Sequence, residues 1–237
     1  MTHGINKIFL LLILCILSAG ATRDLRSAQP GSLPGSSRFP HDCNPTAITD
    51  QDIQNFHLVD ADLYRGGRPA NREEVYRKLA ELGVRTVVNL ETTEVETERA
   101  QIDRLNQGRS EQIQFISFRI NPFPEVLLTG IPDKGDKGII CLFKRLQDAP
   151  KPVFVHCREG KDRTGTVVLL YRIKRKEVTF EVARKEALWY GFNERWDRGL
   201  NKTIERYQGG RLADLPDPDP SASSPPGVCI GGSSAAP

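Results

Sequence analysis

The stretch His156-Cys157-Arg158-Glu159-Gly160-Lys161-Asp162-Arg163-Thr164-Gly165 decides the reading of this chain. It follows the apolar run Pro152-Val153-Phe154-Val155 and leads into Thr166-Val167-Val168-Leu169-Leu170-Tyr171-Arg172-Ile173. A short buried strand that empties into a tight, glycine-containing turn and then opens a helix points successive backbone N–H groups into one concavity, which makes an anion site. Cys157 stands at its floor and Arg163 closes the turn after five intervening residues.

A thiol attacks as its thiolate, a minor species near neutral pH for an ordinary cysteine. The loop therefore has to depress the thiol's pKa. The partial positive charge of the following helix N-terminus, the guanidinium of Arg163 and the loop amides all act in that direction. The same amides and Arg163, whose planar fork grips two oxygens, suit the equatorial oxygens of a phosphoryl group in transfer. Thr164 is placed to donate its hydroxyl to the sulfur as it departs in the second half of such a reaction.

At these residues the chain resembles the cysteine-dependent protein tyrosine phosphatase superfamily, whose signature is His-Cys-x5-Arg-Ser/Thr. The match takes in His156, Cys157, Gly160, Arg163, Thr164 and Gly165. The Gly-Lys-Asp-Arg-Thr-Gly continuation is similar to the compact dual-specificity, inositol-lipid and bacterial atypical members. Leu63-Tyr64-Arg65-Gly66-Gly67-Arg68-Pro69 and Val84-Arg85-Thr86-Val87-Val88-Asn89-Leu90 extend the likeness, which covers roughly Asp60 to Tyr207. It implies a dual-specificity-phosphatase-like α/β fold and hydrolysis of phosphomonoesters through a phosphocysteine, with neither metal nor organic cofactor. Cys157 would be the nucleophile and Arg163 the transition-state clamp, with Arg158, Glu159, Gly160, Lys161 and Thr164 around the substrate phosphate.

Composition agrees with one catalytic domain. The chain has 237 residues, 38% hydrophobic and 27% charged, with a net charge of +3, too small to argue for nucleic acid. Residues 1–21 are different: after Lys7 comes the apolar run Ile8 to Leu17, too short to span a bilayer comfortably, closed by Ser18-Ala19-Gly20-Ala21. This reads as a secretory signal cleaved before Thr22, so the enzyme is expected to be periplasmic or secreted, with a retained anchor as the alternative and no other transmembrane segment. Residues 22–42 read as a flexible linker, 43–208 as the phosphatase domain, and 209–237, with Pro216-Asp217-Pro218-Asp219-Pro220, as a disordered tail. Once Cys15 is removed, Cys43, Cys141, Cys157 and Cys229 remain, a number that permits disulfides without requiring them.

Inside the domain, strand and helix signals alternate. Strands are expected from Leu63 and over Val84–Leu90, Ile113–Ile120 and Val153–Val155. Helices are expected from Asn71, with Glu74 as an Asn-x-x-Glu capping box, to Leu82, then over Glu94–Gln107, Lys137–Gln147, Thr166–Ile173, Thr179–Tyr190 and Glu194–Tyr207. Alternation of this kind indicates a mostly parallel sheet flanked by helices, with the ligand at the carboxyl ends of the strands. Trp189, Phe192 and Trp196, at spacings of three and four, read as core.

The chemistry also needs a proton donor for the leaving oxygen. The resemblance implies an aspartate on a loop upstream of the cysteine, and several carboxylates compete. Glu125 has close to the usual spacing, Asp133 and Asp136 sit in a Gly/Pro-punctuated loop nearer the cysteine, and Asp162 lies inside the cysteine loop, where similar bacterial phosphatases carry an acid. Asp136 also reads as a helix cap. The partner is a phosphorylated substrate: a phosphopeptide, an inositol phosphate or a phosphoinositide. Lys161 and Arg158 sit where inositol phosphatases carry phosphate-reading basic residues, but Glu159 and Asp162 offset them. Two other classes use such a loop, a rhodanese-like sulfurtransferase and a noncatalytic phosphate-binding module. Gly160 with Arg163-Thr164 argues against the first, and Cys157 with Arg163 against the second.

Overall fold

The computed structural model describes residues 48–70, 73–121, 126, 129–175, 178–195 and 197–216. The expected signal, the linker, Cys15, Cys43, Cys229, Glu125, Asn71 and Trp196 lie outside them, as do residues 217–237 of the expected tail.

The strand β5 (Val153–His156) is the centre of the sheet and is buried along its whole length. It lies between β2 (Leu63–Gly66) and β3 (Thr86–Asn89), parallel to both, with Val155 opposite Arg65 on one side and Val88 on the other. Beyond β3 runs β4 (Gln114–Ser117), also parallel, and beyond β2 runs β1 (His57–Asp60), antiparallel, giving the order β1-β2-β5-β3-β4. Period-two alternation sorts the side chains into two cores. Leu63, Val88, Val153 and Val155 face one cluster, while Tyr64, Val87 and Phe154 face the other.

The second cluster is closed by α1 (Glu73–Glu81) and α2 (Val95–Asn106), which contribute Val75, Tyr76, Leu79, Ile102 and Leu105. Helix α1 stops at Gly83, whose φ of 87° is a left-handed value that favours glycine; there Val84 N–H reaches back to Leu79 O at 3.0 Å. The first cluster is built from α3 (Ile139–Asp148), α4 (Asp162–Lys174), α5 (Phe180–Trp189) and α6 (Arg198–Gln208). Helix α4 is buried continuously from Thr164 to Ile173, because it lies on the sheet with α5 and α6 packed on it in turn.

The expected mostly parallel α/β sheet is present, and its differences from expectation have physical causes. Strand β1 is an edge strand with a single buried side chain, Val59, and a register shift between Leu58 and Asp60, so it carries almost no periodic signal. Trp189 is half-exposed at 50%, against the expectation of core, whereas Phe192 is buried. Within the expected tail 209–237, Arg211–Asp214 forms a 3-10 turn and Leu215 is buried in the first core.

One polar interaction crosses the apolar α4–α5 seam. Arg172 grips Glu186 with both Nε (2.9 Å) and Nη2 (3.1 Å), and both residues are buried. Removing one charge of such a pair strands the other. Glu186→Gln is expected to cost about 3 kcal/mol of stability, read as a lower urea midpoint at unchanged slope.

Candidate active site

The loop 157–163 leaves β5 at the carboxyl edge of the sheet and enters α4 at Asp162. Its carbonyls are held from behind. Arg158 O accepts from Arg68 N–H (3.1 Å), Glu159 O from Asn55 Nδ2 (2.9 Å) and Gly160 O from Arg65 Nη2 (2.6 Å). With the carbonyls turned outward, the amides of 158–163 take no backbone acceptor among the described residues and are left for the concavity. Gly160 is obligatory here, since its φ is +70° and a Cβ would lie 2.5 Å from the Gly66 carbonyl carbon.

Cys157 and Cys141 are both buried, and neither forms a disulfide among the described residues. Arg163 reaches across the strand ends, donating from Nη1 to Leu90 O (3.3 Å) and Ile120 O (3.4 Å). Thr164, expected to serve the sulfur, instead donates its hydroxyl to Gly66 O at 3.4 Å. Lys161 is paired with Glu159 at 2.8 Å, which raises the lysine's pKa and lowers the glutamate's, while Arg158 is exposed.

Beneath the loop is a polar network that the sequence reading missed. His156 Nε2 lies 2.8 Å from Glu98 Oε1, and Asn89 Nδ2 donates to the other carboxylate oxygen. Burial pushes the Glu98 carboxyl up, but His156, Asn89 and Tyr76 together hold it below the usual range. Next to this network Glu91 is buried, 3.2 Å from Arg68 Nε; desolvation raises its pKa against the pull of Arg68, His156 and Arg163. Glu98 had a signal: Val95, Glu98, Ile102 and Leu105 follow the helical core spacing, so a glutamate occupies the buried stripe of α2.

The proton-donor candidates separate. Asp133 accepts from Arg206 (2.9 Å), Tyr207 OH (3.0 Å) and Arg211 (2.5 Å). Burial pushes its carboxyl up, yet these donors hold it below the ordinary carboxylate range, so it anchors the chain and is a poor acid at neutral pH. Asp136 is exposed, and the cap of α3 is Gly138, so the helix-cap expectation fails too. Glu125 lies outside the described residues. Asp162 remains at the loop, with Oδ1 accepting from Asn193 N–H at 3.0 Å. Its carboxylate is joined by one not anticipated, that of Asp197. This residue caps α6 by position without a side-chain capping bond, and its carboxyl hydrogen-bonds Asp162 instead. Burial and Asp162 push Asp197 up to about 7, against the pull of Arg163.

A cavity of about 480 Å³ opens beside the loop, lined by Arg68, Tyr76, Glu94, Glu98, Arg158 and Glu159 among others. Among the described residues no group of three or more His, Cys, Asp or Glu is placed to hold a metal ion, and no helix is long and apolar enough to cross a membrane.

A cysteine-floored anion loop at the carboxyl edge of a parallel sheet defines a class of phosphoryl-transfer proteins, and the comparisons agree. Residues 54–173, just over half of the chain, match the model of the tyrosine phosphatase family, and the chain belongs to that family of phosphomonoester hydrolases. Among solved structures it is similar to TpbA from P. aeruginosa, at 23% identity and a TM-score of 0.51, covering 71% of this chain and 91% of that one. The same protein in complex with pTyr matches at 23% and 0.51, covering 70% and 92%. The core catalytic domain of the PP-IP phosphatase SIW14 from S. cerevisiae matches at 22% and 0.49, covering 68% and 90%. No curated protein sequence matches.

The raised Asp197 carboxyl gives a pH-dependent prediction. A group whose pKa rises on folding stabilises below its unfolded value, here 3.8, and loses that contribution as pH climbs through about 7. Asp197→Asn, which mimics the protonated form, is expected to raise Tm over wild type at pH 8 and to leave it unchanged at pH 3.5.

Proposed function

We propose that this chain hydrolyses phosphotyrosine in polypeptides through a phosphocysteine on Cys157. The observation that carries this reading is the loop itself, whose Arg158, Glu159 and Gly160 carbonyls are tied behind it and whose 158–163 amides take no backbone acceptor among the described residues.

In the first step the Cys157 thiolate attacks phosphorus while the bond to the phenolic oxygen breaks, and the departing oxygen takes the proton held between Asp162 and Asp197. The loop amides and Arg163 meet the charge on the equatorial oxygens. In the second step water attacks phosphorus, its proton returns to the carboxyl pair, the S–P bond breaks, and phosphate leaves a regenerated thiolate. A carboxyl near pH 7 suits both duties, since it donates when protonated and accepts when ionised.

Charge in the cleft supports phosphotyrosine over inositol polyphosphates. In the cavity beside the loop Arg68 and Arg158 share the lining with Glu94, Glu98 and Glu159, and Lys161 is already bound to Glu159. A ligand with several clustered phosphates would bring dianions against those carboxylates. The complex of TpbA with pTyr, in a protein of similar fold, agrees. The apolar, small-residue-terminated N-terminus supports export to the periplasm or the cell exterior.

Phosphate release by the full chain under reducing conditions tests the reading. Phosphotyrosine peptide is expected to exceed inositol hexakisphosphate in kcat/KM by about tenfold or more, and Cys157→Ser to lose turnover by about 10⁴-fold while still binding phosphate. Turnover by the serine variant would sink the covalent mechanism, and the opposite preference would make Arg68 and Arg158 readers of extra phosphates. Asp162→Asn is expected to lose about 100-fold on phenyl phosphate and far less on p-nitrophenyl phosphate, whose leaving group needs no proton; equal losses would remove Asp162 from proton transfer.

A further inference from the structure

Arg65 lies on β2 opposite Val155, two residues before the candidate nucleophile, and its side chain is 1% exposed. Only one of its three nitrogens has a hydrogen-bond acceptor: Nη2 donates to Gly160 O, whereas Nε and Nη1 are buried without one. The guanidinium face lies 3.8 Å over the Tyr190 ring, which in turn is 4.8 Å from the His57 ring. A fully buried cation normally has a carboxylate partner. Among the charged and titratable groups that act on Arg65 are Tyr190, Glu186, Cys157 and Arg172. Of these, Glu186 is gripped by Arg172 through two hydrogen bonds, and burial keeps the Tyr190 phenol neutral, at a pKa of about 12. Of these four, Cys157 is the one left able to carry the opposite charge.

We propose that Arg65 is a positioning residue for Cys157, holding the Gly160 carbonyl from behind the loop and supplying the buried positive charge whose counterion is the Cys157 thiolate. This rests on the reading of Cys157 as the nucleophile and adds a second cation to Arg163. Arginine suits the place because its charge persists in a desolvated site and its fork bonds a carbonyl while its face covers a ring. The arrangement accounts for the otherwise costly burial of an unpaired guanidinium: the folded protein accepts it where a thiolate, or the phosphate that succeeds it, lies across the loop.

The test follows alkylation of Cys157 by iodoacetamide in the full chain, with Cys157→Ser giving the background from the other cysteines. Wild type is expected to react at pH 6 at a rate close to its rate at pH 8. Arg65→Gln, which keeps a donor for Gly160 but no charge, is expected to react about tenfold more slowly at pH 6 and to converge with wild type at pH 10, where any thiol is ionised. Arg65→Lys, which keeps the charge, is expected to stay within about threefold of wild type throughout. A slow wild-type reaction at pH 6 would overturn the nucleophile reading and this proposal together. A fast wild type matched by Arg65→Gln at pH 6, or a Gln deficit that persists at pH 10, would overturn this proposal alone. Should Arg65→Gln fail to fold, Arg65→Lys decides: a rate within threefold at pH 6 upholds the charge, and a tenfold loss overturns it.

Discussion

Everything at the site depends on where the carbonyls of Arg158, Glu159 and Gly160 point. A turn can offer its amides to an anion only if its carbonyls are satisfied elsewhere, because a buried carbonyl without a donor is expensive. Here the donors are Arg68 N–H, Asn55 Nδ2 and Arg65 Nη2, all from the segment that includes β2 and its flanks. Gly66 and Gly67 make the approach close enough, since they meet the space a Cβ on Gly160 would need. The second strand of the sheet is therefore the outer wall of the anion cradle, and the parallel pairing of Leu63–Gly66 with Val153–His156 sets its height.

A chain of buried charges follows from that placement. His156 and Glu98 are almost entirely excluded from water and so must satisfy each other, with Asn89 and Tyr76 completing the carboxylate's partners. Across the sheet Arg172 and Glu186 do the same between α4 and α5. Both pairs are closed systems in which each carboxylate has its partner at hydrogen-bond distance. Arg65 is not closed in this way, and it lies where the loop's own negative charge arises. A closed pair adds rigidity to the scaffold, while an open buried ion projects its field onto whatever lies beside it, undiminished by solvent.

What the sequence made legible was what local chemistry dictates. The loop could be read because backbone geometry and nucleophile coincide in ten consecutive residues, 156–165, and β3, β5 and α4 because their burial is nearly continuous. Strand β1 was illegible because one buried valine makes no period. Glu98 was hidden by a helix rich in surface charge, although its place between Val95 and Ile102 marked it as inward-facing. Asp133 read as a free loop carboxylate because its three partners come from Arg206, Tyr207 and Arg211, more than seventy residues later and partly from a stretch that reads as tail. Asp197 was missed because the expected helix from Glu194 placed it inside the first turn, where a carboxylate is ordinary, and only the fold shows the helix starting at Arg198 with Asp197 turned to Asp162.

These last two residues share a cause in α6. At its N-terminal end Asp197 meets Asp162 of the loop; along its length Thr203 accepts from Ile131 N–H at 2.7 Å, and Arg206 reaches Ile131 O and Thr129 O. One helix thus holds the segment 129–133 by several bonds and reaches the loop through the carboxyl of Asp197, pushed up to about 7. The segment 129–133 is clamped: its aspartate is committed to two arginines and a tyrosine, and moving it would give up those hydrogen bonds and ion pairs. The carboxyl pair has the opposite character, because two like charges in partial burial hold a proton between them and release it when a better acceptor appears. On the proposed mechanism the proton then comes from a contact already made, that of Asp162 with Asp197.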